Sequence, residues 1–240
     1  MSSVSVLLDD LGTALWRADA LARSASAGGG AVASGHAALD AQLPGGGWPL
    51  GALCDILQDH SGQHEWRLLL PTLRTLTQTV VLVGPPQMPF GPGLAAQGLD
   101  VQALCWVRAD SPAERLWAAE QVLQCAGVAA LLLWLPQTRA EPLRRLQLAA
   151  QAHAKLLWVM RPASARHEAS PAVLRLWVGA GPVAQPDALA VHILKRRGPP
   201  LLTPLHLPAR HAALGTLLAL PGRGTLPESG HALDRLAAAA

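Results

Sequence analysis

VASGHAALDAQLPGGGWPLG (32–51), ALCDIL (52–57) and Gln58-Asp59-His60-Ser61-Gly62-Gln63-His64-Glu65 run without a break, and their order decides the fold. A Gly-rich lead-in is followed by an apolar strand, a polar turn and the helical run EWRLLLPTLRTLTQ (65–78). Parallel α/β nucleotide-binding cores begin in this order. Such a core needs G-x-x-x-x-G-K-[ST] in the turn, so that backbone N–H groups cradle phosphates and a Lys neutralises them. The turn at 58–65 has no Lys, no Gly-Lys pair and no hydroxyl where a magnesium ligand belongs. Asp59 and Glu65 would meet a phosphate with like charge. The frame of a nucleotide site is present without its cation.

Working outward, strands and helices alternate. Ala52–Leu57 reads as a strand and 65–78 as a helix interrupted by Pro71. TVVLVG (79–84) reads as a buried strand, followed by a loop and a short helix around Leu94. Ala103–Arg108 reads as the next strand. Ser111-Pro112-Ala113-Glu114 predicts a helix start: an N-cap hydroxyl, Pro in the first turn and an acid that returns a hydrogen bond. That helix is expected to reach about Ala126, with Gly127 ending it. VAALLLWL (128–135) is a continuous apolar run, as expected for a strand buried on both faces of a parallel sheet. A basic helix over 139–152 and a strand over Lys155–Arg161 complete the alternation, which predicts a mostly parallel sheet flanked by helices. After Pro171 the helices stop. Val173–Val178, Leu189–Lys195 and Leu201–Leu207 read as an antiparallel extension of the sheet.

Three segments follow from composition. Residues 1–31 hold an amphipathic helix at 5–23 and the linker SASAGGGA; 32–207 form the core; 208–240 read as a mobile tail. Hydrophobic residues make up 50% of the chain and charged residues 15%, which suits a sizeable packed core and excludes whole-chain disorder. No apolar run reaches the roughly 18 residues of a membrane span, and the N-terminus lacks the basic start of a secretory signal. Cys54, Cys105 and Cys125 show no C-x-x-C spacing and read as buried, reduced thiols of a cytoplasmic protein. Residues 1–130 carry 6 Arg against 11 Asp or Glu, net −5; residues 131–240 carry 13 Lys or Arg against 5 Asp or Glu, net +8. A nucleic-acid-facing half, an acidic partner and an Arg-rich solvated surface all fit that asymmetry. His60 and His64 have metal-like spacing, but Gly62 between them argues for a loop and no third ligand is evident, so no metal site is assigned. Trp106, Trp134, Trp158 and Trp177 are expected in the core, and Trp48 and Trp66 beside the altered phosphate site. His36 and His192 are expected to be structural, His206 and His211 to be at the surface.

Several blocks taken together carry a resemblance. They are S34-G-H-A-A-L-D40 with LPGGGWPLG (43–51), E65-W-R-L-L-L-P71, VLVGPPQMPFGPGLAAQGLD (81–100), L116-W-A-A-E-Q-V-L123 and V191-H-I-L-K-R-R-G198. In order and spacing they resemble the RecA-like ImuA family, which accompanies error-prone translesion DNA synthesis in bacteria and is loosely related to the division inhibitor SulA. The resemblance covers residues 30–205. It implies a RecA-like core. It also implies where an ATPase would keep its catalytic groups, and this chain lacks them. Gly84-Pro85-Pro86-Gln87 stands where a water-orienting Glu belongs, and Leu131–Pro136 ends without the magnesium-binding Asp. Phosphoryl transfer relies on positioning and on neutralisation by Lys and metal, so the expectation is a pseudo-ATPase without a nucleotide cofactor.

The resemblance further implies partners: an error-prone polymerase complex (an ImuB-type pseudo-polymerase and a replicative-type subunit), DNA and RecA. Arg161 and Arg166 fall where RecA carries a DNA-binding loop, and Lys195, Arg196 and Arg197 where RecA reaches toward a neighbour. Arg144 and Arg145 lie on the basic helix. These seven are the candidate DNA or partner contacts, with ordinary surface charge as the alternative. No aromatic interleaving is visible in the loop at 162–171. Two other functional readings stay open: a SulA-like division inhibitor, and an active ATPase with a divergent loop.

Overall fold

A computed structural model describes residues 30–185 and 187–208. The chain separates into two units, residues 1–209 and 210–240, and every described residue belongs to the first. The helix expected at 5–23 and the tail from residue 209 lie outside the described residues.

A small ribbon opens the fold: β1 (Ala31–Val32) pairs antiparallel with β2 (Trp48–Pro49), and the short α1 (Ala37–Asp40) lies between them. The main sheet is built from β3 (Ala52–Gln58), β4 (Thr79–Val83), β5 (Leu104–Val107), β6 (Val128–Trp134), β7 (Leu156–Pro162), β8 (Leu174–Ala180), β9 (Ala188–Lys195) and β10 (Leu205–Pro208). Its order is β10-β9-β8-β3-β7-β6-β4-β5. Every pair from β8 to β5 is parallel; only β8–β9 and β9–β10 are antiparallel. Four helices follow the early strands: α2 (Glu65–Leu73), α3 (Gly91–Ala96), α4 (Pro112–Gln124) and α5 (Ala140–Ala152).

The strands' period of two sorts their side chains into two cores. Cys54, Ile56, Leu132, Trp134 and Trp158 point to one face, where Leu39 of α1, Leu68–Leu73 of α2 and Leu94 of α3 cover them. Leu53, Leu131, Leu133, Leu157 and Val159 point to the other, under Ala119 and Leu123 of α4 and Leu143 and Leu146 of α5. Burial on both faces explains why 52–57 and 128–135 read as unbroken apolar runs. The α4 start is the predicted capping box: Ser111 Oγ accepts the Glu114 N–H at 3.2 Å, and Glu114 Oε2 accepts the Ser111 N–H at 3.0 Å.

Pro71 sits inside α2 and leaves the Arg67 carbonyl without its usual intrahelical donor. The buried His36 packs at this point, its ring Nε2 3.1 Å from the carbonyl of the next residue, Leu68. Gly35 is held at φ +77°, and a Cβ there would lie 2.4 Å from the Pro71 ring. The Gly35-His36 pair and Pro71, 35 positions apart in sequence, are thus one packing unit. Trp48, fully buried, meets Trp158 edge to face with ring centroids 5.6 Å apart, and its indole N–H donates to Thr72 Oγ1 at 2.9 Å.

Several expectations need correction. β8 is not part of the antiparallel extension; it runs parallel to β3. The eleven residues 163–173 return the chain across β3 with one 3-10 turn (Ala163–His167), so the crossover needs no α-helix. The last strand covers only Leu205–Pro208, not 201–207. Helix α2 stops at Leu73, because Thr75 turns back and bonds the Thr72 carbonyl through both its N–H and its hydroxyl. Cys54 is buried, but Cys105 and Cys125 are exposed. Cys105 and Trp106 lie on β5, the sheet's outer strand, and Trp106 is 42% exposed instead of core. Among the described residues no helix is long and apolar enough to cross a membrane.

Gly47 gives a direct test of the ribbon's seat on the core: a Cβ there would lie 2.2 Å from the Val32 carbonyl oxygen, a backbone atom that cannot step aside. Gly47→Ala is expected to lower unfolding free energy by about 1–3 kcal/mol in urea titrations. Gly127→Ala, where a Cβ meets open space, is expected to stay within about 0.5 kcal/mol of the parent.

Candidate functional site

The turn after β3 is the position the sequence singles out, and its geometry is that of an anion cradle already filled. Glu65, the first residue of α2, is fully buried. Its Oε1 accepts the Gly62 N–H at 2.7 Å and the Trp134 indole N–H at 2.8 Å; its Oε2 accepts the His64 N–H at 3.0 Å. Gln58, also buried, shares the His64 N–H through Oε1 at 3.0 Å. Gly62 is at φ +93°, which aims the loop's N–H groups inward. In a phosphate loop such groups would face the ligand. Here a carboxylate of the chain's own takes two loop N–H groups and an indole, with the short distances of charge-assisted bonds. Asp59, His60, Ser61 and Gln63 stand exposed around it. His64 is half-buried, and burial, followed by the nearby Arg67, holds its imidazole below the usual range. Among the described residues, no three His, Cys, Asp or Glu side chains group to hold a metal.

Beside the turn lies a cavity of about 280 Å³ whose walls include Trp66, Pro86, Met88, Phe90 and Trp134. Glu65 is the only ionisable side chain among its lining residues, and none is Lys or Arg. A nucleotide's phosphates would find no counter-charge there. At the ends of β4 and β6, where an ATPase places acids, the chain has an arginine clamp. Arg115 donates through Nε to the Ala109 carbonyl at 3.0 Å and through Nη1 to the Trp134 carbonyl at 3.1 Å. It lies across Gly84, where a Cβ would come within 2.5 Å of Nε. Trp48, expected at this site, is instead two helical turns away beside Thr72; Trp66 does line the cavity.

The seven basic candidates do not converge. Arg144 and Arg145 are exposed on α5, and Arg145 pairs with Glu120 at 2.5 Å. Lys195 is exposed and donates to the Ser170 carbonyl at 3.2 Å. Arg196 is half-buried and held by Gln42 Oε1 and the Pro199 carbonyl, both at 3.0 Å; with the exposed Arg197 it borders a separate cavity near Gly30. Arg166 is exposed. Arg161 is 1% exposed and therefore not a free contact. Its Nη2 pairs with Glu168 at 2.5 Å, and its Nη1 lies 3.8 Å from Asp55 Oδ2.

That ion pair belongs to a cluster that the sequence reading missed. Asp55, fully buried in β3, is held by Ser170 Oγ at 2.7 Å and Arg175 Nε at 3.1 Å. Burial pushes its carboxyl up; the Ser170 bond and the two arginines oppose that. Arg175 also donates to the carbonyls of Ala165 (2.7 Å), Glu168 (3.1 Å) and Arg166 (3.4 Å). The available signal was a single Asp inside ALCDIL and a single Arg inside VLRLW: each breaks an apolar strand, and a buried charge requires a partner.

No known family model matches the chain, and no curated protein matches it.

Two substitutions measure what these carboxylates hold. Glu65→Ala strands the Gly62 N–H and the Trp134 indole N–H; urea unfolding is expected to show a loss of about 2–6 kcal/mol, from about 1–3 for each stranded donor. Glu65→Gln keeps an acceptor and should lose less. Asp55→Ala leaves two buried guanidinium groups without their shared anion, and the expected loss is about 3–5 kcal/mol by the same measurement.

Proposed function

We propose that this protein is a RecA-like adaptor of the ImuA kind. In this reading it acts in the cytoplasm, supports error-prone translesion DNA synthesis, and works by binding polymerase-complex partners and DNA without hydrolysing nucleotides. The supporting observation is Glu65: the loop N–H groups that would receive a phosphate are occupied by a carboxylate from the same chain. A triphosphate would have to displace a buried anion, gain no lysine in return, and lie in a cavity whose only ionisable lining group is negative. The ends of β4 and β6 offer Gly84 and the Trp134 carbonyl under Arg115, and neither can orient water or bind magnesium. The motifs quoted at 34–51, 65–71, 81–100, 116–123 and 191–198 supply the family. The α/β sheet is compatible with it.

An adaptor needs surface, and the site's surroundings provide some. Met88 and Phe90 are 72% and 73% exposed beside the altered loop, a placement that suits contact with another macromolecule better than enclosure of a ligand.

The test has two arms. Purified protein with ATP and magnesium is expected to release no phosphate above a no-protein control and to show no upward shift in melting temperature. Turnover that disappears in His64→Ala would overturn the pseudo-ATPase part. Tagged protein is expected to capture an ImuB-type pseudo-polymerase or a replicative-type polymerase subunit from a defined mixture. Capture of the tubulin-like division protein alone would replace the adaptor reading with the SulA-like one.

A further inference from the structure

Two side chains that the sequence assigned to core or structural duty form an open aromatic stack. Trp177 of β8 and His192 of β9 are register partners on antiparallel strands. Their rings lie 4.5 Å apart between centroids with planes 29° from parallel. Both are only half-buried, and Leu194, two residues along β9 on the same side, is 43% exposed. The Arg166 guanidinium lies over the Trp177 ring, 5.8 Å from its centroid. Arg166 is exposed, yet the loop that carries it is not free to drift. Arg175 bonds the carbonyls of Ala165, Arg166 and Glu168, and Asp55 anchors Arg175 in turn. A cation, an indole and an imidazole are therefore held in one stack by a buried network.

We propose that Arg166, Trp177 and His192 form a stacking platform for the bases of single-stranded nucleic acid. Base–aromatic stacking requires only a π-face, and a guanidinium can both stack on a base and meet the phosphate beside it. A duplex keeps its base faces covered, so an unpaired strand is the form that can extend the stack from its exposed Arg166 end. One further cation lies close by: the exposed Lys195 is on the same strand as His192 and donates to the Ser170 carbonyl of the crossover that carries Arg166. The carboxylate on the same loop, Glu168, is already paired with Arg161 at 2.5 Å. Burial first, and then the neighbouring His206, hold the His192 imidazole below its usual range, so at neutral pH it contributes an uncharged ring. The aromatic partner missing from the loop at 162–171 thus comes from the strands beneath it.

The inference rests on the reading above for its choice of nucleic acid. Its test uses no polymerase subunit, so a failed capture and a failed titration are separate results. Full-length protein is titrated into fluorescently labelled oligothymidylate at low salt and followed by anisotropy, with oligouridylate and a duplex of equal length as competitors. The unpaired strands are expected to compete better than the duplex; whichever of the two binds tighter names the source as DNA or RNA. Arg166→Ala and Trp177→Ala are each expected to weaken binding by roughly 5- to 100-fold. Arg166→Lys, which keeps the charge and loses the plane, should fall between wild type and Arg166→Ala. Because Arg166 is exposed, its variants carry the test even if Trp177→Ala fails to fold. Absence of oligothymidylate binding, equal competition by duplex, or wild-type affinity in Arg166→Ala would overturn the platform.

Discussion

Asp55 holds together the part of the sheet on which the second half of the molecule is built. It lies in the middle of β3, is fully buried, and meets Arg175 of β8, Arg161 of β7 and Ser170 of the crossover. Three strands and a loop therefore share one anion. Burying an ion is costly, and only close geometry and additional hydrogen bonds recover that cost. Arg175 supplies them by binding three backbone carbonyls of the crossover, which lets eleven residues do what a crossover helix normally does. With that loop fixed, β8 joins the sheet parallel to β3, and β9 and β10 follow as antiparallel additions. The same bonds fix Arg166 over Trp177. The ionic cluster thus governs both the sheet's order and the surface that the loop presents.

Glu65 does the comparable work at the end of β3. Where a phosphate loop stays open for a ligand, this one is closed by the helix that follows it, with a carboxylate in the place of the bound anion. The Trp134 indole completes the arrangement from β6 and ties the turn to that strand. Inward N–H groups without an acceptor would be a destabilising feature; Glu65 supplies that acceptor from within the chain.

How much of this could be read in advance depended on the range of the interactions. Local rules worked. Apolar runs such as VAALLLWL marked the central strands, Ser111-Pro112-Ala113-Glu114 marked the start of α4, and the missing lysine at 58–65 was plain in the sequence. Pairings between distant residues stayed hidden, because nothing at Asp55 announces Ser170 or Arg175, 115 and 120 positions away. The direction of β8 was misread for the same reason: a crossover without a helix has no periodic signal, and its stability comes from an ion cluster that only folding assembles. Arg161 was expected among the DNA or partner contacts because the resemblance puts it at a DNA-binding loop; its position in β7, opposite Leu57 in the register, puts it inside. Trp106 was misread in the opposite sense. A strand-like pattern does not show whether its strand is central or at the edge, and β5 has a neighbour on one side only.

The two carboxylates answer buried donors from within the chain, one at the turn and one inside the sheet. In an active phosphate loop, the inward N–H groups and the lysine are satisfied by a ligand that comes and goes, so stability and function share the same atoms. Here Glu65 takes the turn's N–H groups from within the chain, while Asp55 binds Ser170 and Arg175 inside the sheet. The ends of β4 and β6 carry an arginine clamp, and the walls beside the turn are Met88, Phe90 and tryptophan. What such a scaffold retains is a rigid sheet with solvent-facing aromatic and cationic groups set on it at fixed separations. Groups held at fixed separations lose little conformational freedom when a partner meets them.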